Sequence, residues 1–245
     1  MNRETTVNIL WTGGWDSTYR MVELARKDVT VQPFYVLNPA RRSNEKEVEA
    51  MARITEILND DVRFSAKILP AKVVRIEDIP PNDEVTKAFN ELAEKVELGP
   101  QYEWLGRLSR IIPDIELCIE KAPEGRLVSR DVILEGSEAA AKLFGWFRLP
   151  IFDITEQEMV ANIKAWGCED IMKNIWFCNH PLYSGEPCGM CHPCCIKISS
   201  GMDFLLPASA IARNSEMRRI ETEQGADAAK NYRISFWEKN GILIE

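Results

Sequence analysis

Thr12-Gly13-Gly14-Trp15-Asp16-Ser17-Thr18, close behind the apolar run Val7-Asn8-Ile9-Leu10-Trp11, has the residue types of a phosphate-holding turn. Paired glycines let a backbone turn tightly, take positive φ and come close to a ligand. The free N–H groups of a helix opening near Ser17 add donors and a partial positive charge. Ser17 and Thr18 add hydroxyls. A Walker loop would place Lys after its last glycine, and no G-x-x-x-x-G-K-[ST] occurs in the chain. The same Gly-Gly also suits a plain strand-to-helix connection, with Asp16 or Ser17 only capping the helix.

The second group is Cys178, Cys188, Cys191 and Cys194, in which two successive C-x-x-C steps share Cys191. Short loops of this kind bring thiolates within metal–sulfur distance, and a fourth Cys upstream closes a tetrahedron. The stretch has no helical or strand periodicity, so a metal takes the place of a hydrophobic core there. Zinc and an iron–sulfur cluster use the same four ligands. Redox chemistry through one C-x-x-C pair is a further reading, and Cys195, His180 and His192 are near enough in sequence to substitute for a ligand. Disulfides are not expected: seven Cys is an odd number and no signal peptide precedes the chain, which fits a reducing cytoplasm. Cys118 reads as a core residue and Cys168 as packing near a helix end.

The residues from Thr12 to Thr18 resemble the S-G-G-x-D-S-[ST] signature of the PP-loop ATP pyrophosphatases, the adenine-nucleotide hydrolase-like superfamily, with Thr12 keeping the hydroxyl of the usual Ser. Together with the late C-x9-C-x2-C-x2-C block, they resemble the 7-cyano-7-deazaguanine synthase family. Ile175-Trp176-Phe177-Cys178 looks like its T-W-S-C, Cys188-Gly189-Met190-Cys191 like its C-G-x-C, and Ile151 to Thr155 like the strand before its last helix. The resemblance implies a doubly wound, mostly parallel HUP-like sheet with a C-terminal zinc-binding helical lobe. It favours Zn²⁺ at the four cysteines and adds ATP and Mg²⁺ as cofactors. It also implies adenylation of a small molecule, a deazapurine acid or another carboxylate, with pyrophosphate released and AMP then displaced by ammonia or another nucleophile.

By the same resemblance, Gly13, Gly14 and Trp15 with the Thr12, Ser17 and Thr18 hydroxyls cradle the phosphates. Leu10 and Trp11 lead into the turn, and the backbone near Val36 and Leu37 reads the adenine. Asp16 and Ser17 are the expected catalytic residues, and Asp16 either holds Mg²⁺ or fixes the turn by accepting backbone N–H bonds. The middle departs from the family. Leu37-Asn38-Pro39-Ala40-Arg41-Arg42 keeps only basic character, Glu120-Lys121-Ala122-Pro123 replaces a deazapurine-pocket loop, and Glu156 stands where the family often has Lys.

Strands are expected at 7–11, 31–37, 62–69, 115–119 and 149–152, and helices at 17–27, 44–58, 85–98, 101–112, 137–146 and 157–166. Asn44 with Glu47 resembles a capping box, Thr155 with Glu158 another, and 70–81 reads as a linker. Val48, Met51, Ile54 and Ile57 or Leu58 form the apolar stripe of the second helix. Alternating strands and helices predict a parallel sheet covered on both faces, with the glycine turn at the carboxyl end of the first strand. Residues 1–166 would form this nucleotide domain and 167–245 the cysteine lobe with its helical tail.

The chain has 245 residues, 45% of them hydrophobic, enough for one α/β domain with an appended lobe. No apolar run reaches membrane-spanning length. A net charge of −8 argues against a large nucleic-acid surface. The short basic groups Arg41-Arg42 and Arg213, Arg218 and Arg219 read as solvated faces, with Arg41 and Arg42, which follow a strand on the ligand side, also within reach of phosphate. Two His, both in the cysteine segment, leave little for a Ser–His triad. Tyr102, Trp104, Trp146 and Phe147 either stack on a base or pack. The tail from Phe236-Trp237 to Ile242-Leu243-Ile244 covers a partner, a second copy of the chain in a homodimer included, or docks on its own domain. Two other function classes remain open: a PP-loop enzyme that modifies nucleic acid or protein, by deazapurine insertion or sulfur transfer, and a non-catalytic nucleotide- or zinc-binding module.

Overall fold

The computed structural model describes residues 5–121, 133 and 137–242. The diverged loop beyond Lys121, and Leu243 and Ile244 of the apolar tail, lie outside them. The fold is α/β around a parallel sheet in which β1 (Thr6–Leu10) pairs with β2 (Thr30–Leu37), and β2 with β3 (Lys67–Ile68) and β4 (Lys72–Arg75). Between β3 and β4 the register against β2 slips by one residue. The slip lies opposite Pro33, which has no N–H to offer the ladder, and Gln32 Nε2 donates to both Pro33 O and Pro70 O at 3.0 Å. On the other side of β1, parallel bridges run from Ile9 to Glu116 and from Glu116 to Arg148. Chain order therefore reverses beside β1, and crevices at the carboxyl ends of parallel strands form at such reversals.

Alternating strand residues feed two cores. Ile9, Trp11, Val31 and Tyr35 pack with α1 (Trp15–Ala25), α2 (Asn44–Asp60), α6 (Glu156–Ala165) and α7 (Glu169–Met172). Leu10, Phe34 and Val36 pack with α3 (Asp83–Ala93), α4 (Gln101–Ser109) and α5 (Glu138–Phe144). A third core joins the four cysteines to Leu206, Met217, Trp237 and Ile242, on and beside α8 (His192–Ser199), α9 (Ala208–Gln224) and α10 (Ala226–Lys239). Trp237 and Ile242 thus dock on their own lobe. Cys168, Ile171, Ile175 and Met202 share the first core with α1, so packing runs across residue 166. No helix among the described residues is long and apolar enough to cross a membrane.

Several expected elements differ. The strand at 62–69 shrinks to β3 because Asp61 starts a turn, its carboxylate accepting from Arg63 N and its carbonyl from Phe64 N. Strands at 115–119 and 149–152 are single bridges at Glu116 and Arg148; Pro150 lacks an N–H, and turns closed by Phe152 N to Leu149 O and Ile154 N to Ile151 O bend the chain away. The linker at 70–81 contains β4. Asn44 does not cap α2: Ser43 is the N-cap, without a side-chain cap bond, and Asn44 Nδ2 donates instead to Asn38 O. Val48 is exposed, and Ala50, Met51, Ile54 and Leu58 form the buried stripe. The Thr155–Glu158 box is present in both directions.

Candidate functional site: a strand-end cleft beside a four-cysteine cluster

β1 delivers Trp11 to the sheet edge, where its N–H donates to Phe34 O at 2.9 Å, and the chain then turns through Gly13 at φ +69°. A Cβ on Gly13 would lie 3.3 Å from Ala50 Cβ and from Glu47 O, so the turn needs glycine for both conformation and space. Gly14 opens α1 as a cap without a side chain, and the first helical bond runs from Thr18 N to Gly14 O. No backbone N–H from Thr12 to Ser17 meets an acceptor among the described residues. Six consecutive donors are thereby left for a ligand.

All of these residues except Gly13 line a cleft of about 1320 Å³. Leu10, Trp11, Thr12, Gly14, Trp15, Asp16, Ser17 and Val36 of the expected site line it; Gly13, Thr18 and Leu37 do not. Gly13 faces α2 and accepts from Trp176 N at 2.8 Å, Thr18 Oγ1 is buried and accepts from Trp11 Nε1 at 3.0 Å, and Leu37 packs against the first core. Since Phe34 turns its carbonyl toward β1, Val36, two residues on, turns its own polar groups the same way, past the end of β1. Trp104 lines the cleft, whereas Tyr102 stacks edge-on against Phe144 and Trp146 lies under Arg110.

Arg41 also lines the cleft but is tied down. It pairs with buried Glu47 at 2.8 Å, whose carboxylate also takes Ser43 Oγ at 2.7 Å and lies 2.9 Å from the Tyr35 hydroxyl. Arg42, exposed on the same wall, has no carboxylate partner among the described residues. Of the two arginines, Arg42 is the free cation.

Asn179 and His180 close the far wall and lead into the cysteine cluster. Sγ atoms of Cys178, Cys188, Cys191 and Cys194 all lie within 4.8 Å of one another, and all four residues are buried. Cys191 Sγ is 3.4 Å from Cys194 Sγ and 3.8 Å from Cys178 Sγ. A tetrahedral zinc with Zn–S of about 2.3 Å has ligand edges of about 3.8 Å. Backbone N–H groups already point at sulfur: Cys188 N to Cys178 Sγ at 3.2 Å, and Met190 N and Cys191 N to Cys188 Sγ at 3.4 and 3.2 Å. Neighbouring thiols and these amides hold the Cys188 thiol well below its ordinary range. Gly189, at φ +79°, passes so close to α9 that a Cβ would stand 2.1 Å from Ala210 O. Arg213 and Asn214 of α9 donate to Cys188 O and Gly189 O at 2.9 and 2.8 Å. The cluster can therefore hold a metal such as zinc. Cys195 is outside it, its thiol 3.6 Å from Met190 O and pushed up by burial, and His192 is exposed.

Comparison with known proteins finds no matching family model, no similar curated protein and no similar solved structure. The functional reading therefore rests on the motif resemblance of the loop and the cysteine block together with this geometry.

Sequence reasoning missed one part of the site. Lys197, buried on α8, forms an ion pair with Glu156 at the start of α6, and its Nζ lies 5.2 Å from the Trp15 ring centroid. Burial raises Asp16 to about 6, offset in part by Lys197 and reinforced by Glu156. Burial likewise raises Glu120 to about 7, with Asp16 and Glu156 adding to the rise and Lys197 opposing it. Asp16 accepts no backbone N–H among the described residues, so it does not fix the turn that way. Asp16 is an expected site residue and Glu120 and Glu156 mark departures from the family, but nothing in the sequence joins Lys197 to them, 181 positions beyond Asp16.

The Glu120 shift has a testable sign. A carboxyl raised from 4.5 to about 7 binds its proton more tightly in the folded chain, so its contribution to stability is full below about 4.5 and is lost as pH rises through about 7. Glu120→Gln, which mimics the protonated form, is expected to exceed wild type in urea midpoint at pH 8. The two proteins should converge near pH 4.5. Equal midpoints at pH 8 would show Glu120 to be solvated.

Proposed function

We propose that this chain is an AMP-forming, ATP-dependent enzyme of PP-loop type, with a doubly wound sheet, Mg²⁺ at Asp16 and a structural Zn²⁺ at Cys178, Cys188, Cys191 and Cys194. The observation that carries the reading is the unpaired run of N–H donors from Thr12 to Ser17, opening on a cleft large enough for a nucleotide and a second substrate. These donors, with the Thr12 and Ser17 hydroxyls, bind the β- and γ-phosphates. The polar edge of Val36 faces the adenine, and Trp104 flanks the base.

A substrate carboxylate on the far side of the cleft attacks the α-phosphorus. The P–O bond to the β-phosphate breaks, and pyrophosphate leaves into the donor run, which stabilises its growing charge. Ammonia then attacks the acyl carbon, AMP departs with the carboxylate oxygen, and the amide forms with loss of one proton. The chain's part in this is positioning and charge stabilisation. Sulfur transfer has less behind it, because four thiols face one another in the buried cluster and Cys195 is held by Met190 O and Asn214.

The test is product analysis with ATP, Mg²⁺ and ammonium, with and without 7-carboxy-7-deazaguanine. AMP with pyrophosphate, rising with the acid, is the expected result. ADP with phosphate would overturn the reading, and AMP formed with other carboxylates alone would move the substrate away from deazapurines.

A further inference from the structure

The phosphate loop has no lysine of its own, yet an ammonium sits behind it. Lys197 is 8% exposed, unusual for a residue with so hydrated a head group. Its carbonyl accepts from Met202 N at 2.8 Å, its Nζ pairs with Glu156, and it lies over the ring of Trp15, the first residue of α1. The helix that carries it is capped by Cys191 and includes Cys194, three residues earlier. Two buried polar atoms nearby have no partner among the described residues: Trp15 Nε1, whose ring the ammonium covers, and Glu120 Oε2.

We propose that Lys197 is a positioning residue for this loop: delivered from the metal-holding helix, its ammonium fixes the Trp15–Asp16 step and supplies the positive charge that lets the loop take a polyphosphate. Glu156 opposes it, drawing the ammonium away from Asp16. The cysteine segment makes a second contact with the same loop through Trp176 N and Gly13 O, so the cluster grips the turn at two points. The influence of Lys197 on Asp16 and Glu120 agrees with this placement. The proposal rests on the phosphate-binding reading of the loop.

Calorimetric titration with inorganic pyrophosphate and Mg²⁺ separates the two ideas. A unit charge a few ångströms from a partly buried anion is worth about 10–50-fold in affinity. Lys197→Met is therefore expected to weaken pyrophosphate binding about 10–50-fold, and Lys197→Arg to recover most of it. Glu156→Gln, which removes the competing carboxylate, should tighten binding. Metal content and melting temperature accompany each titration, and Glu156→Gln keeps the test alive if Lys197→Met folds poorly. A purely structural ion pair would make Lys197→Met and Glu156→Gln change affinity in the same direction, and that result overturns the proposal. So does pyrophosphate affinity within twofold of wild type in Lys197→Met, which leaves the phosphate reading intact. Wild type that binds neither pyrophosphate nor ATP overturns both.

Discussion

Cys191→Ser is expected to abolish the metal binding proposed for the four-cysteine cluster and, with it, the cooperative folding of α8, α9 and α10. The third core explains why. Its centre is four thiols, surrounded by Leu182, Met190, Leu206, Met217, Ile220 and Trp237, a thin apolar shell for three helices. Without a cation, four buried sulfurs in mutual contact are a poor core, because each deprotonated thiol repels the next. A structural zinc in such a site contributes about 10–16 kcal/mol in small metal-dependent domains, on the scale of a typical domain's whole stability of about 5–15 kcal/mol. Loss of one ligand should remove most of that. Metal analysis should give one ion per wild-type chain and none in the variant, and hydrogen exchange should show lost protection from Cys178 onward. An absorption spectrum with charge-transfer bands would assign iron–sulfur instead of zinc. A wild-type protein that carries no metal, reacts at four thiols under native conditions and still protects α9 would sink the metal reading. The loss should also reach the α/β core, because Ile175 and Met202 pack beside α1 and Trp176 N holds Gly13 O.

Local chemistry made the loop and the cluster legible in the sequence. Gly13 and Gly14 are adjacent in the chain and act through backbone conformation, and the cysteines act through short fixed spacings, so neither depends on distant packing. Sheet edges were read less well. Strands expected at 115–119 and 149–152 had the right composition, but only Glu116 and Arg148 form bridges, because pairing length depends on where the neighbour ends and on turns at Pro113 and Pro150. The position of Arg41 after a strand suggests a solvated face or reach to phosphate; its capture by Glu47 follows from a helix phase in which Glu47 points inward and Val48 outward. Lys197 was invisible for the opposite reason. Nothing next to it in sequence touches the loop, and its meaning depends on the fold bringing the cysteine helix against α1 and α6.

Glu116→Ala is expected to destabilise the protein by about 3–5 kcal/mol, the cost of breaking a buried ion pair from one side. Arg20 of α1 grips both oxygens of Glu116 through Nε and a terminal nitrogen at 2.8 and 2.7 Å, with the two side chains 12% and 9% exposed. Its third nitrogen reaches Glu23 Oε2 at 2.7 Å, which remains in the variant and places the expected loss at the lower end of that range. For a chain of this length, about 3 kcal/mol corresponds to a melting temperature lower by roughly 6–12 °C. Added salt should change this little, because a buried pair is screened far less than an exposed one. Replacing both partners with apolar residues, Arg20→Met with Glu116→Leu, should recover more than half of the loss, since an uncompensated charge is what makes the single variant costly. The pair also has a functional reach. It ties the helix that follows the glycine turn to the segment whose next residues, Leu117 and Cys118, line the cleft. Glu116→Ala assayed well below its melting point should therefore bind pyrophosphate more weakly than wild type, although neither residue lies at the loop. A loss under 1 kcal/mol in the single variant would mean that the pair behaves like a solvated surface bridge, and α1 would then be held to the sheet by apolar packing of Tyr19, Met21 and Val22 alone.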